Sequence, residues 1–244
     1  MLSKVQIKTI HALQHKKYRQ KSGRFLAEGV KIVEELLQST RIEVETIYGL
    51  SGWIEKQEQT RGVQMELITE RELKSISMLA TPQEVLAVCK IPPQTEKQAL
   101  TGPVVLLLES LRDPGNLGTI IRIADWFGLS EILCSPDCVD PYNPKTVQAT
   151  MGSIARIQLL QAPIAAVLAA HPGWPVVATT LDGCPLTKCS PLKQGFIAIG
   201  NESNGLSKEL IRRAHQKITI PRLGQAESLN AAIATGIVCS HLLL

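Results

Sequence analysis

Two rhythms of apolar and polar positions run along the chain. Helical spacing covers residues 3–21, where Val5, Ile7, Ile10 and Leu13 form a weak stripe, and Val30–Leu37, where Lys31, Glu34 and Glu35 fall off the apolar face. Short apolar runs predict strands at Phe25–Leu26, Val44–Gly49, Met65–Ile68 and Val85–Cys89. Thr69 followed by Glu72 reads as a capping box opening a helix. The polar stretch Trp53–Gln59 is expected to be helical. The first 90 residues therefore read as a small alternating α/β unit. PPQTEKQALTGP, residues 92–103, has three prolines and no periodicity, which marks a linker.

Beyond it the pattern is more regular. Strands at Val104–Leu108, Glu131–Cys134, Arg156–Leu159, Val176–Ala178, Phe196–Gly200 and Lys217–Ile220 have helical stretches between most of them. These are Leu117–Phe127, Pro144–Met151, Pro163–Ala170 and Ser207–Ala214. Such alternation predicts a parallel sheet covered on both faces. Ser228–Leu244 reads as a long apolar helix rich in small residues (Ala231, Ala232, Ala234, Thr235, Gly236) that lets a sheet or a second subunit approach closely. The expected organisation is a domain over 1–95, a linker over 96–103 and a second domain over 104–244.

Composition narrows the class. The 244 residues are 44% hydrophobic and 20% charged, as in soluble globular proteins. No run of 18 apolar residues predicts a membrane span. The N-terminus lacks the apolar core of a secretory signal, so a cytoplasmic location is expected. Six scattered cysteines show no zinc-ligand spacing, so reduced thiols and no metal are expected. His11 and His15 stand four apart but read as residues of a solvated basic helix rather than a metal pair. Charge adds a partner. Residues 1–24 hold seven Lys or Arg and no acid, which leaves the rest of the chain at −3. That asymmetry suggests a polyanion.

Three polar loops follow strand ends in the second half. The first holds Asp113, Pro114, Gly115, Asn116 and Gly118 and leads to a helix with a near-buried Arg122. In the second, Gly200 ends a strand, Glu202 sits beside the turn, and Ser207 caps the next helix. In the third, Pro221 ends a strand, Ser228 is expected to cap the last helix and Asn230 to sit in its first turn. All three are expected at the carboxyl edge of one sheet, where open α/β folds bind ligands.

DPGNLGTIIRIADWFG, IAIGNESNGLS and IPRLGQAESLNAAIATG resemble the three ordered motifs of the SpoU (TrmH-type) class of SPOUT RNA 2′-O-ribose methyltransferases. KKYRQKSGRFLAEGVKIVEELL resembles that family's N-terminal L30e/L7Ae-like RNA-binding domain. The resemblance implies an α/β fold: a C-terminal SPOUT parallel-sheet domain with a deep trefoil knot, plus the small N-terminal α/β domain. It implies S-adenosylmethionine (AdoMet) as cofactor, structured RNA as substrate, and a homodimer whose pocket is completed across the interface. Asn116, Arg122, Glu202, Ser228 and Asn230 match its catalytic polar residues. Gly200, Ile220 and Leu229, with Thr179 and Thr180, match its cofactor wall. Lys16, Lys17, Arg19 and Arg24 are expected on RNA. Arg122 is expected to orient the ribose hydroxyl and stabilise developing alkoxide charge, since a guanidinium is a poor base. Ser203, Arg222, Ala231, Ala232 and Gln148 depart from the family's usual residues without removing a named catalytic one.

The accessory domain favours 23S-type ribosomal RNA over transfer RNA. Two other classes stay in view. One is a Rossmann nucleotide enzyme, which lacks the third glycine of its fingerprint. The other is an RNA-binding scaffold with a decayed site.

Overall fold

Residues 3–21 fold into two helices rather than one. The structure, a computed structural model, describes residues 1–57, 62–93 and 100–244. Helix α1 (Lys4–Ala12) opens in a capping box in which Ser3 and Gln6 satisfy each other's N–H groups, and α2 spans Lys16–Ser22. The break between them leaves carbonyls without helical partners. Arg19 fills two of them, donating from Nη1 to the carbonyls of Leu13 at 2.8 Å and Gln14 at 2.7 Å.

The chain continues through β1 (Arg24–Glu28), α3 (Val30–Leu37), β2 (Val44–Gly49), α4 (Ser51–Ile54), β3 (Gln64–Leu67), α5 (Glu70–Ile76) and β4 (Val85–Lys90). These strands form a mixed sheet, order β1-β4-β2-β3, with β4 antiparallel to both neighbours. Ile10, Leu13, Leu26, Leu73, Ile76 and Leu86 make one core between helices and sheet. The expected capping box at Thr69 is present. Its Glu72 also accepts the Leu2 N–H at 2.6 Å, and backbone bonds from Thr69 and then Leu2 lower its pKa to about 2. The end of the helix expected over 53–59, and residues 96–99 of the expected linker, lie outside the described residues.

Next come β5 (Val104–Leu108), α6 (Pro114–Trp126), β6 (Glu131–Cys134), α7 (Pro144–Thr150), β7 (Gln158–Gln161), α8 (Ile164–Ala170), β8 (Val176–Pro185), β9 (Gly195–Ile199), α9 (Lys208–Arg213), β10 (Gln216–Thr219) and α10 (Ala231–Leu242). The chain forms two compact units, Met1–Pro93 with Asp140–Arg156, and Gln94–Val139 with Ile157–Leu244. The stretch Asp140–Arg156, expected with the second domain, packs in the first unit. Arg19 binds Asp140, Phe25 and Tyr142 have ring centroids 5.0 Å apart, Ser39 donates to the Ala155 carbonyl, and Arg156 pairs with Glu35. Arg156 therefore lies outside the strand expected to begin there.

In the second unit six strands run in the order β10-β8-β9-β5-β6-β7, and every pairing is parallel. Val105, Leu107, Phe196 and Ala198 pack on one face with Leu206 and Leu210. Leu106 and Leu108, pointing the other way, are also buried, so the sheet is covered on both faces. After β5 the chain moves outward through β6 and β7, then returns to the other side for β8 and β9. This reversal opens a crevice at the carboxyl ends of β5 and β9.

Candidate active site

Strands β5, β9 and β10 end at Leu108, Ile199 and Thr219, so their parallel ladder sends all three polar loops off the same edge. Helix α6 starts earlier than expected. Asp113 is its N-cap, accepting the Asn116 N–H at 2.7 Å, and Pro114 occupies the first turn, where no N–H is missed. Gly115 and Gly118 thus lie inside the helix. No glycine loop precedes it to cradle a pyrophosphate, which removes the dinucleotide reading.

Asn116 joins the three loops. Its Nδ2 donates to Glu202 Oε1 at 2.7 Å, and its Oδ1 accepts from Asn230 Nδ2 at 2.8 Å. The direction of these bonds is forced. Asn230, rather than Ser228, caps α10: its Oδ1 accepts the N–H groups of Ala232 at 2.9 Å and Ile233 at 3.3 Å. Its amide nitrogen must then face Asn116, whose own nitrogen is left for the carboxylate. Ser228 is exposed and stands outside this network.

Gly200 shapes the second loop. A Cβ there would come within 2.3 Å of the Gly205 carbonyl carbon, because Asn201 and Gly205 pair their backbones across the turn. Only glycine permits that approach. Asn201, which the sequence reading passed over, uses Oδ1 to accept from the N–H groups of Ser203 at 2.9 Å and Asn204 at 3.1 Å. Its Nδ2 donates to the Ser110 carbonyl at 2.8 Å and reaches Glu202 Oε2 at 3.4 Å. Ser110 has φ +57°, a left-handed backbone. Its N–H donates to Ser135 Oγ at 2.9 Å, and its hydroxyl to Asp137 Oδ2 at 2.5 Å. The hydroxyls of Ser110 and then Ser135 hold the Asp137 carboxyl below its ordinary range. An Asn right after a glycine turn is a legible Asx-loop signal. A left-handed Ser has none.

The other expected residues divide. Arg122 is exposed rather than near-buried, and no hydrogen bond or ion pair reaches it among the described residues. It lies six residues beyond Asn116 on α6, about 9 Å along the axis and on another face. Thr179 donates to the Ala198 carbonyl at 2.9 Å. Residues 179–183 then bulge within β8, so that Ala178 pairs with Lys217 but Cys184 with Ile218. Thr180 lies in that bulge and is half-buried. Ile220, Pro221, Leu186, Thr187 and Gly236 line a cleft of about 490 Å³. Residues 221–229 make no backbone-to-backbone hydrogen bond among the described residues, and Leu229 is 46% exposed. Backbone groups without backbone partners, beside exposed aliphatic carbon, suit the edge and faces of an adenine, so the residues present fit AdoMet.

On the basic N-terminal segment, Lys16 and Lys17 are exposed. Arg24 is exposed but pairs with Glu45. Arg19 is not available to RNA. It is 1% exposed and its guanidinium is filled by Asp140 and the two carbonyls.

The arrangement of these loops recurs in known proteins. Residues 103–240 match the SpoU rRNA methylase family. The chain belongs to that family. Residues 4–87 match the MRM3-like substrate binding domain. Among SpoU relatives, the 23S rRNA (guanosine(2553)-2′-O)-methyltransferase RlmP of Bacillus subtilis is 33% identical over 97% of this chain and 95% of its own. An AdoMet-bound rRNA methyltransferase from Sinorhizobium meliloti superposes with a TM-score of 0.89 at 32% identity, covering 99% of this chain and 96% of that one. The SpoU methyltransferase AviRb of Streptomyces viridochromogenes, in complex with AdoMet, gives 0.88 at 25% identity, covering 99% and 97%. The parallel sheet and N-terminal domain described above are thus the SpoU methyltransferase architecture.

Proposed function

We propose that this chain is an AdoMet-dependent RNA 2′-O-ribose methyltransferase that acts in the cytoplasm on large-subunit (23S-type) ribosomal RNA. The observation that carries the reading is the contact of Asn116 with both Glu202 and Asn230, which joins one polar residue from each of three SpoU motifs in one hydrogen-bonded set. Substrate class is supported by the ribosomal RNA relatives and by the matched substrate-binding domain.

AdoMet supplies, when bound, a methyl group on a sulfonium. Gly200, Ile220 and Leu229 would hold it, largely through backbone groups, with Thr179 and Thr180 as further wall. Asn116, Glu202 and Asn230 form a rigid polar wall that needs no rearrangement as charge develops. Arg122 orients the ribose hydroxyl and stabilises its alkoxide character. Arg122, exposed and without a hydrogen bond or ion pair among the described residues, suits a pocket completed by a second copy and would act there. Trp126, one turn along α6, is 84% exposed, and Ile233 and Ile237 on α10 are 57% and 39% exposed. We read these apolar side chains as the homodimer face, and the last third of the chain as knotted in the manner of the family. Lys16 and Lys17 would meet RNA phosphates.

The test is transfer of radiolabelled methyl from AdoMet to separated 23S, 16S and transfer RNAs, followed by ribose-methylation mapping. Label on a ribose of 23S RNA is expected. Label on transfer RNA alone would move the substrate class. No transfer, with no AdoMet heat in calorimetry, would leave an RNA-binding scaffold instead.

A further inference from the structure

We propose that Asn201, held by the carbonyl of left-handed Ser110, is a positioning residue that fixes the Glu202 carboxylate against Asn116. This rests on the methyltransferase reading above and gives a role to two residues, Ser110 and Asn201, that were not among the expected site residues.

A left-handed backbone is unfavourable for a residue with a Cβ and persists where its surroundings enforce it. Here all three polar groups of Ser110 are engaged. The N–H goes to Ser135, the hydroxyl to Asp137, and the carbonyl accepts from Asn201. Ser135 itself donates to Asp137 Oδ1 at 2.6 Å, so one carboxylate on the loop after β6 ties down both serines. The turn aims the Ser110 carbonyl at the loop after β9.

Asn201 is oriented from both ends. Two backbone N–H groups occupy its Oδ1, which leaves the Nδ2 hydrogens for the Ser110 carbonyl and Glu202 Oε2. Glu202 therefore accepts an amide hydrogen on each oxygen, from Asn116 on one and Asn201 on the other. The 2.7 Å contact from Asn116 and the longer 3.4 Å one from Asn201 together favour one rotamer of the Glu202 carboxylate. A side chain so placed is the preorganisation that a positioned site requires. A run of hydrogen bonds thus extends across the sheet edge from Asp137 to Asn230. Ser110 and Asn201 carry it over the crevice between β5 and β9.

The test uses the full-length enzyme and four variants, each checked by thermal melting and AdoMet affinity. Asn201→Ala and Ser110→Val, whose β-branch disfavours the left-handed turn, should lower kcat about 100-fold. KM for both substrates should stay within about twofold. Ser110→Gly loses the hydroxyl's bond to Asp137 but keeps the left-handed turn and the carbonyl, so kcat should fall much less than in Ser110→Val. Asn201→Asp sets a carboxylate against Glu202 at neutral pH. As pH falls, the new acid gains one proton and can donate to one of the two acceptors the amide served, so its deficit relative to the parent should narrow in part. Glu109, Arg112 and Asp113 after β5, Asp137 and Cys138 after β6, and Glu202 are the other ionisable groups near it; the Cys138 thiol, lowered to about 7 chiefly by its hydrogen bond with Cys134, titrates in the same range, and all are common to parent and variant. Parental kcat in Asn201→Ala, or a pH-independent deficit in Asn201→Asp, would overturn the positioning role while the methyltransferase reading stands. A parent that methylates no RNA overturns both.

Discussion

Asn116 and Glu202 stand 86 residues apart in the chain and 2.7 Å apart in the fold, amide nitrogen to carboxylate oxygen. Asn116→Asp reverses the sense of that contact, because its carboxylate still accepts from Asn230 but meets Glu202 as a like charge. Methyl transfer should fall by roughly 100-fold, the scale of losing one preorganised donor. AdoMet affinity should change little, since no expected cofactor residue bonds to Asn116. Steady-state kinetics beside calorimetry separates the two, and undiminished kcat would remove Asn116 from the site.

Arg122 is exposed and makes no hydrogen bond or ion pair among the described residues that its removal could break. Arg122→Ala should keep stability within about 0.5 kcal/mol, as surface substitutions usually do. Transfer should be abolished with AdoMet binding nearly intact. Full activity in that variant would falsify the assignment of Arg122.

The basic N-terminal segment divides by role. Lys16→Ala and Lys17→Ala should each flatten the dependence of log affinity on log salt by about 0.7–0.9, with no change in melting. Arg19→Ala breaks a buried pair whose partner Asp140 is 12% exposed, a class of change that costs about 3–5 kcal/mol. Its effect should appear in denaturant midpoints first. If Arg19→Ala weakens RNA binding while the midpoint stays put, the structural role is wrong.

Glu72 should titrate near its lowered value of about 2. Its folded pKa lies below the ordinary 4.5, so its stabilising contribution is complete above that value and is lost as pH falls toward 2. Glu72→Gln should flatten this part of the acid-stability curve. Equal pH slopes for parent and variant between those limits would contradict the capping account.

Trp126→Lys with Ile233→Lys places two cations on exposed apolar positions of α6 and α10, away from the cleft lined by Ile220 and Gly236. Light scattering should show a dimer in the parent and a monomer in the double variant. Transfer should fall with it, because the proposal has Arg122 act in the other copy's pocket. A double variant that stays dimeric puts the interface elsewhere.

Local pattern marked much of the fold. The bounds expected for β2, β5, β6 and α3 are the observed ones, since each is a run whose own period sets its faces. The split between α1 and α2 was not legible, because Arg19 reaches Asp140 across 121 residues. The extension of β8 to Pro185 was hidden too. Its second half pairs with β10 only after five residues bulge.

The chain by itself determined the order of three polar loops, each after an apolar strand, and the residue types they carry. Glycine, Asn, Glu and Arg at those places follow from backbone freedom and hydrogen-bonding capacity, which are local properties. Tertiary structure alone decided which of them meet. It joined Asn116 to Glu202 and Asn230, left Ser228 and Arg122 outside, enclosed Arg19, and brought in Ser110 and Asn201. The reason lies in the direction of the bonds. An isolated asparagine side chain can face either way, and only backbone donors supplied by α10 and the loop after β9 fix which end faces the carboxylate.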